Sequence, residues 1–210
     1  MPKAEFIARQ SRRPSGLLGY IVAWVMASET AQENNRTLDH LAIADGDRVL
    51  EIGCGHGTTL SKAAVCADNL KLTGIDFSDV MLRVARRRNS VLLAHNLLSL
   101  DHGDSAAPPY ETRSFERIYS VHTIYFWVQP EVHLREISRV LAPGGRFVLG
   151  FRPGDDGAYA AKLPGSIYNM RAGAEVEALV ATCGFASVQM HSQQINGHAM
   201  NWIVAHNDDT

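Results

Sequence analysis

From residue 48 onward the chain repeats one pattern: a short apolar run, a turn, then apolar residues at helical spacing. "RVLEI" (48–52) precedes a segment, 58–67, in which Leu60, Ala63, Ala64 and Ala67 share a helical face. "LKLTGID" (70–76) precedes another in which Met81, Val84, Ala85 and Arg88 do, with Ser78 placed to cap it. Residues 97–100 and "ERIYSV" (116–121) supply two more strands. Pro130 opens a helix with Leu134, Ile137 and Leu141 inward, Pro143-Gly144-Gly145 stops it, and "RFVLGF" (146–151) makes a fifth strand. Strands that read as continuous apolar runs and alternate with helices are buried on both faces. The pattern therefore predicts an α/β fold with a parallel sheet covered by helices on both sides.

The end of the chain breaks the alternation. After a helix carrying Val176, Leu179, Val180 and Cys183, "SVQMHSQ" and "NWIVAH" flank Asn196-Gly197, a pair that tolerates the positive φ angles of a tight turn. Extra residues around that pair point to a longer hairpin loop. Hairpin strands are antiparallel, so the sheet ends in a reversed strand.

At 210 residues the chain suits one domain, read here as a core over 46–210 preceded by an N-terminal helical cap or lid segment over 1–45. "GLLGYIVAWVMA" (16–27) is too short to cross a bilayer and lacks the flanks of a secretory signal, so no integral membrane segment is expected. It reads as a helix lying on the domain or over a site, with Tyr20 and Trp24 on one face. The net charge of −2 and the scattered Lys and Arg give no footprint for nucleic acid, and Arg86 to Arg88 reads as a solvated helix face. Cys54, Cys66 and Cys183 are widely spaced with no CxxC pair, which predicts free thiols in a reducing, cytoplasmic setting. No HExxH, Cys/His ligand spacing or Gly-x-Ser-x-Gly elbow occurs, so neither a metal site nor a serine nucleophile is expected. The assembly state is open, a homodimer included.

Chemistry concentrates on three loops that such a fold brings to the carboxyl edge of the sheet. "GCGHG" (53–57) lies between a strand and a helix, where glycines let a ligand approach backbone N–H groups. Its Gly-x-Gly-x-Gly spacing departs from the dinucleotide fingerprint, since Thr58 stands where the third glycine is expected. Asp76, some twenty residues on, ends the second strand where a carboxylate can accept both hydroxyls of a ribose. "GDS" (103–105) ends the third and can meet the amine edge of an adenine.

"VLEIGCGHG", "GIDFSDVML", "HGDS", "SVHTIYFW" and "REISRVLAPGGRFVLGF", in this order, resemble the motifs of class I S-adenosylmethionine-dependent methyltransferases, especially the small ones related to quinone-biosynthesis enzymes. The resemblance covers residues 48–151 and implies a Rossmann-like seven-stranded sheet, parallel but for one antiparallel terminal strand. It places Glu51, Gly53, Cys54 and Gly55 around the methionine part of S-adenosylmethionine and Asp76 on its ribose. Phe77 and Met81 then pack on the adenine, Gly103, Asp104 and Ser105 sit at its edge, and Ser120 and Val121 line the pocket near the sulfonium. His56 departs from the small or apolar residue expected in the loop. Its ring either points to solvent or touches the methionine carboxylate or closes the pocket from below.

Methyl transfer needs alignment and exclusion of water more than a strong base, but an oxygen or nitrogen acceptor that must lose a proton is served by a histidine. His122, directly after the fourth strand, is the candidate catalytic residue. Tyr125, Phe126 and Trp127 follow it, either lining an apolar or cationic substrate pocket or packing the next helix on the sheet. Tyr20, Trp24, Tyr159 and Tyr168 are further substrate-contact candidates, the last two on a Gly- and Pro-rich stretch (152–170) long enough to form a lid. The expectation is a methyltransferase acting on a small apolar or aromatic molecule. The alternatives are a nucleotide-dependent oxidoreductase and a catalytically silent cofactor-binding scaffold.

Overall fold

The computed structural model describes residues 30–161 and 163–209. Tyr20 and Trp24 lie outside them, as does the side chain of Tyr159, whose backbone falls in the short helix Gly157–Ala160.

Helix α1 (Ala31–Leu41) leads into strand β1 (Arg48–Ile52), helix α2 (Thr58–Ala63), β2 (Lys71–Asp76), α3 (Asp79–Arg88), α4 (Ser90–Ala94) and β3 (Leu98–His102). Strand β4 (Phe115–Val121), α5 (Pro130–Val140), β5 (Leu141–Phe151), α6 (Gly157–Ala160), α7 (Gly173–Ala181), β6 (Ser187–Ile195) and β7 (His198–His206) complete the described order. The strands form one seven-stranded sheet in the order β3-β2-β1-β4-β5-β7-β6, parallel from β3 to β5. β7 runs antiparallel to both its neighbours. The reversed strand, last in sequence, is thus inserted between β5 and β6, and β6 forms the edge.

The sheet explains the apolar runs. Along β1, Leu50 and Ile52 pack with Ile118, Phe147, Leu149, Val176 and Val180 beneath α5 and α7. Val49, on the opposite face, packs with Leu41, Leu60, Leu82, Tyr119, Val148 and Trp202 beneath α1, α2 and α3. Ser78 caps α3 by accepting from the Met81 N–H at 3.4 Å.

Three boundaries depart from the sequence reading. The helix after the glycine loop stops at Ala63. α5 ends at Val140, so Leu141 opens β5, and Pro143-Gly144-Gly145 falls inside that strand where the β4–β5 register shifts. The hairpin loop is only Asn196-Gly197, with φ of 51° and 79° and Ile195 paired to His198. Both turn residues thus adopt the left-handed geometry that Asn-Gly tolerates, and no longer loop is needed.

Strand β1 pairs with β2 on one side and with β4 on the other. The order of strands reverses between β1 and β4, which opens a crevice at their carboxyl ends.

Candidate active site at the carboxyl edge

The glycine loop fills one wall of this crevice. Gly53, Gly55 and Gly57 have φ of 69°, 51° and 71°, in the region where a side chain is strained. A Cβ on Gly53 would stand 2.5 Å from Thr123 Cγ2, so the loop after β4 packs directly on the loop after β1. A Cβ on Gly55 would meet only the Gly53 carbonyl oxygen, at 4.0 Å, which leaves open space beside the loop.

Asp76 is buried and accepts the Gly55 N–H on one carboxylate oxygen and the Ser78 N–H on the other, each at 2.8 Å. Burial pushes its carboxyl up, and the two N–H groups hold back part of that rise. Phe77, next in sequence, is 38% exposed, a large aromatic left at the surface beside that carboxylate. Met81 is buried one helical turn on, and the Gly103 N–H bonds to the Asp76 carbonyl at 3.1 Å, drawing the 103–105 loop alongside.

Beneath the loop, Glu51 is buried and accepts from the Tyr119 hydroxyl at 3.0 Å. Burial pushes its carboxyl to about 8, the Tyr119 and Thr59 hydroxyls pulling it down and the nearby Asp76 charge raising it further. The Cys54 thiol is buried with it and is also pushed up.

Several residues are turned otherwise than the sequence suggests. Ser120 is fully buried, its hydroxyl donating to the Ile52 carbonyl at 2.9 Å and lying 2.6 Å from that of Thr123, so only its backbone faces the crevice. Ser105 is likewise buried against His133 Nδ1, at 2.8 Å, whereas the Asp104 side chain beside it is exposed. Val121 is partly buried against the Tyr119 side of the sheet.

His56 does not point to solvent. Its Nδ1 lies 2.8 Å from Thr58 Oγ1 and 3.2 Å from Arg88, which itself bonds to Thr58. Burial and the Arg88 charge lower its pKa to about 4, so the ring is neutral near neutral pH and braces the loop against α3. Arg86, Arg87 and Arg88 are all exposed, as the solvated-face reading of the arginine run expects, and Arg86 also donates to the Leu100 carbonyl at 3.0 Å.

On the β4 side, His122 has φ of 59°, an unusual conformation for a non-glycine residue. Its backbone N–H bonds to the Gly150 carbonyl at 2.9 Å. The ring is held at both nitrogens: Nε2 by a carboxylate oxygen of Glu33, and Nδ1 by the Tyr125 hydroxyl at 3.0 Å. The second Glu33 oxygen takes the Arg152 guanidinium, with Nε at 3.2 Å, and the Arg152 backbone N–H donates to Tyr125 Oη at 2.5 Å. A closed ring of four residues thus joins α1, the end of β4, the turn after it and the end of β5.

Glu33 is fully buried. Burial alone would raise its carboxyl, but the His122 hydrogen bond and the charge and hydrogen bonds of Arg152 hold the group below the usual carboxylate range. An ionised carboxylate only accepts, so His122 Nε2 carries a proton.

The aromatic residues after His122 divide. Trp127 is buried and stacks on His133 of α5 with ring centroids 4.7 Å apart, the packing role. Tyr125 and Phe126 stand 5.9 and 5.1 Å from Tyr168, and the Asn169 N–H bonds to the Tyr125 carbonyl at 2.9 Å, bringing the 152–170 stretch against this corner.

Glu33 and Arg152 escaped the sequence reading. The signal for Glu33 is its place on the buried face of α1 with Thr37, Leu38 and Leu41, where an acidic side chain needs a partner.

Residues 50–149 match a family model described as a methyltransferase domain. Similar proteins include an uncharacterized methyltransferase, YdaC, of Bacillus subtilis, 29% identical over 133 residues, or 63% of this chain and 71% of that protein. A demethylmenaquinone methyltransferase of Clavibacter sepedonicus is 36% identical over 104 residues, 50% of this chain and 40% of that protein. Among solved structures, a methyltransferase in complex with the Haloferax volcanii Trm112 activator superposes with a TM-score of 0.78 at 19% identity, covering 99% of this chain and all of that one. Residues 50–149 thus carry a methyltransferase domain, on a sheet of the kind such proteins share. S-adenosylmethionine is the cofactor that the sequence resemblance implies for such a domain. The open glycine loop, the buried Asp76 and the exposed Phe77 fit that molecule, and no finding favours an oxidoreductase. Apart from the Bacillus protein, the chain spans about half or less of several of the curated relatives it matches. Among the described residues no helix is long and apolar enough to cross a membrane.

Proposed function

We propose that the protein methylates a small apolar or aromatic acceptor in the crevice between the glycine loop and the turn after β4. The observation that carries this reading is the contact of Thr123 with Gly53, which sets His122 and the Tyr125, Phe126 and Tyr168 rings beside the methionine end of the cofactor site. In this reading Glu51, Gly53, Cys54 and Gly55 surround the methionine, Asp76 holds the ribose, and Phe77 and Met81 cover the adenine with Gly103 and Asp104 at its edge. Residues 1–45 act as a cap on the 46–210 core, supported by α1, whose Glu33 and Thr37 reach β4, β5 and β7 neighbours. Free thiols at Cys54, Cys66 and Cys183 suit a cytoplasmic enzyme.

The test is transfer of radiolabelled methyl groups from S-adenosylmethionine to a panel of phenols, hydroquinones, fatty acids and amines. Labelled product from an aromatic or apolar acceptor is the expected result. Micromolar cofactor binding with no labelled product from any member would leave a silent cofactor-binding protein instead.

A further inference from the structure

The four-residue ring has a direction. Glu33 accepts from His122 Nε2–H, which leaves Nδ1 as the ring's basic lone pair, and that atom faces the Tyr125 hydroxyl at 3.0 Å. Arg152 acts twice: its guanidinium neutralises the buried Glu33, and its backbone N–H is aimed at Tyr125 Oη, where it stabilises negative charge on that oxygen. His122 holds its place through a left-handed backbone next to Thr123, the residue in contact with Gly53. Strain of this kind persists where the surroundings fix it, and here three elements do so.

We infer that Glu33 and Arg152 are positioning residues that set Tyr125 and His122 as a proton-accepting pair, and hence that the acceptor is a hydroxyl group that must lose its proton, as in a phenol or hydroquinone. This deepens the proposed function and rests on it. When bound, S-adenosylmethionine supplies a methyl carbon whose bond to sulfur breaks with the electron pair returning to sulfur. The acceptor oxygen forms the new bond to that carbon and gives its proton to Tyr125 Oη, while Oη–H gives its own proton to His122 Nδ1. The proton count closes with His122 as imidazolium, facing the Glu33 carboxylate. Among the described residues, Glu33 from α1 and Arg152 from the end of β5 are charged groups that face this pair. His122 is in this account the final proton carrier rather than the group that meets the acceptor.

Full-length wild type, Glu33→Gln and Tyr125→Phe are to be compared in two ways. Nitrogen-15 NMR of histidine-labelled protein, with His122 assigned by its loss in His122→Asn, should show the Nε2–H tautomer in wild type and a weakened preference in Glu33→Gln, whose amide no longer dictates donor or acceptor. Turnover of the best phenol or hydroquinone should fall about 100-fold in Tyr125→Phe and about 10-fold in Glu33→Gln, with calorimetric affinity for S-adenosylmethionine within about twofold. Tyr125→Phe keeps the buried ion pair and decides the matter if Glu33→Gln does not fold. An Nδ1–H tautomer in wild type, or turnover within twofold of wild type in Tyr125→Phe, overturns the inference alone. Wild type that methylates no member of the panel, or only amines or fatty acids, removes the acceptor class on which it stands.

Discussion

The two ends of the sheet hold similar charges under opposite conditions. At the amino edge Arg48 pairs with Glu116 at 2.6 Å, both half-exposed, and a cavity of about 210 Å³ lined by Arg113, Ser138, Arg139 and Asn207 opens nearby. Arg139 there is already held by Glu136 and by the Tyr110 carbonyl. At the carboxyl edge Glu33, His122 and Arg152 are drawn together with the carboxylate sealed from water. A solvated pair contributes little because water serves each charge nearly as well, whereas a buried one costs desolvation and survives only when every partner is in place. The lesson is that the fold could be held by the first kind of pairing alone, and the second kind marks where geometry has been bought at the expense of stability.

The comparison is tested most severely at Glu33. Glu33→Ala leaves a buried guanidinium without its carboxylate and should cost about 3 to 5 kcal/mol of unfolding free energy in denaturant titration. A loss below about 1 kcal/mol would erase the distinction between the two edges. Next in size, Asp76→Ala should weaken S-adenosylmethionine binding by about 1.5 to 3 kcal/mol in calorimetry, the scale of hydrogen bonds to a charged group. Unchanged affinity would remove the ribose from Asp76.

Glu51 sharpens the comparison through pH. Its folded pKa of about 8 lies above the ordinary 4.5, so the native state binds the extra proton and stability is full below 4.5 and declines as pH rises toward 8. His56, lowered from 6.5 to about 4, acts oppositely: its contribution grows as pH rises from about 4 to 6.5. The two slopes offset each other below 6.5 and Glu51 acts without that offset from 6.5 to 8. In that window Glu51→Gln should flatten the decline, by up to about 1.4 kcal/mol per pH unit, as read from denaturation midpoints. An identical slope in wild type and variant would mean that the carboxyl is already ionised in the folded protein. The smallest effect belongs to the amino edge, where Arg48→Ala should cost no more than about 1 kcal/mol, measured in the same titrations at low and high salt.

Local rules made most of the fold legible. The apolar strands, the Ser78 cap, the glycine loop and the Asn196-Gly197 turn each depend on a few neighbouring residues, and each forms where the sequence places it. The site was legible only to the extent that it too is local. His122 was found because it follows a strand, but of its two ring partners Glu33 arrives from 89 residues away in a helix rich in polar residues, and Arg152, which binds both of those partners, sits at a strand end with no motif. Ser105 and Ser120 show the converse. Both stand at the carboxyl edge of the sheet, yet the pleat of β4 turns the Ser120 hydroxyl to the Ile52 carbonyl and the turn after β3 directs that of Ser105 to His133.

The insertion of β7 between β5 and β6 also fixes when the molecule can finish folding. Arg146 pairs with His206, and the Trp202 indole donates to Thr37 across 165 residues of sequence, so the gap between β5 and β6 stays open until β7 is available to fill it. Until then β5 and β6 each present an unpaired strand edge, and α1, which carries Glu33, lacks part of the surface it packs on. Closure by such distant contacts leaves the chain most exposed to aggregation before β7 is seated, and it ties assembly of the active corner to the arrival of residues far from it.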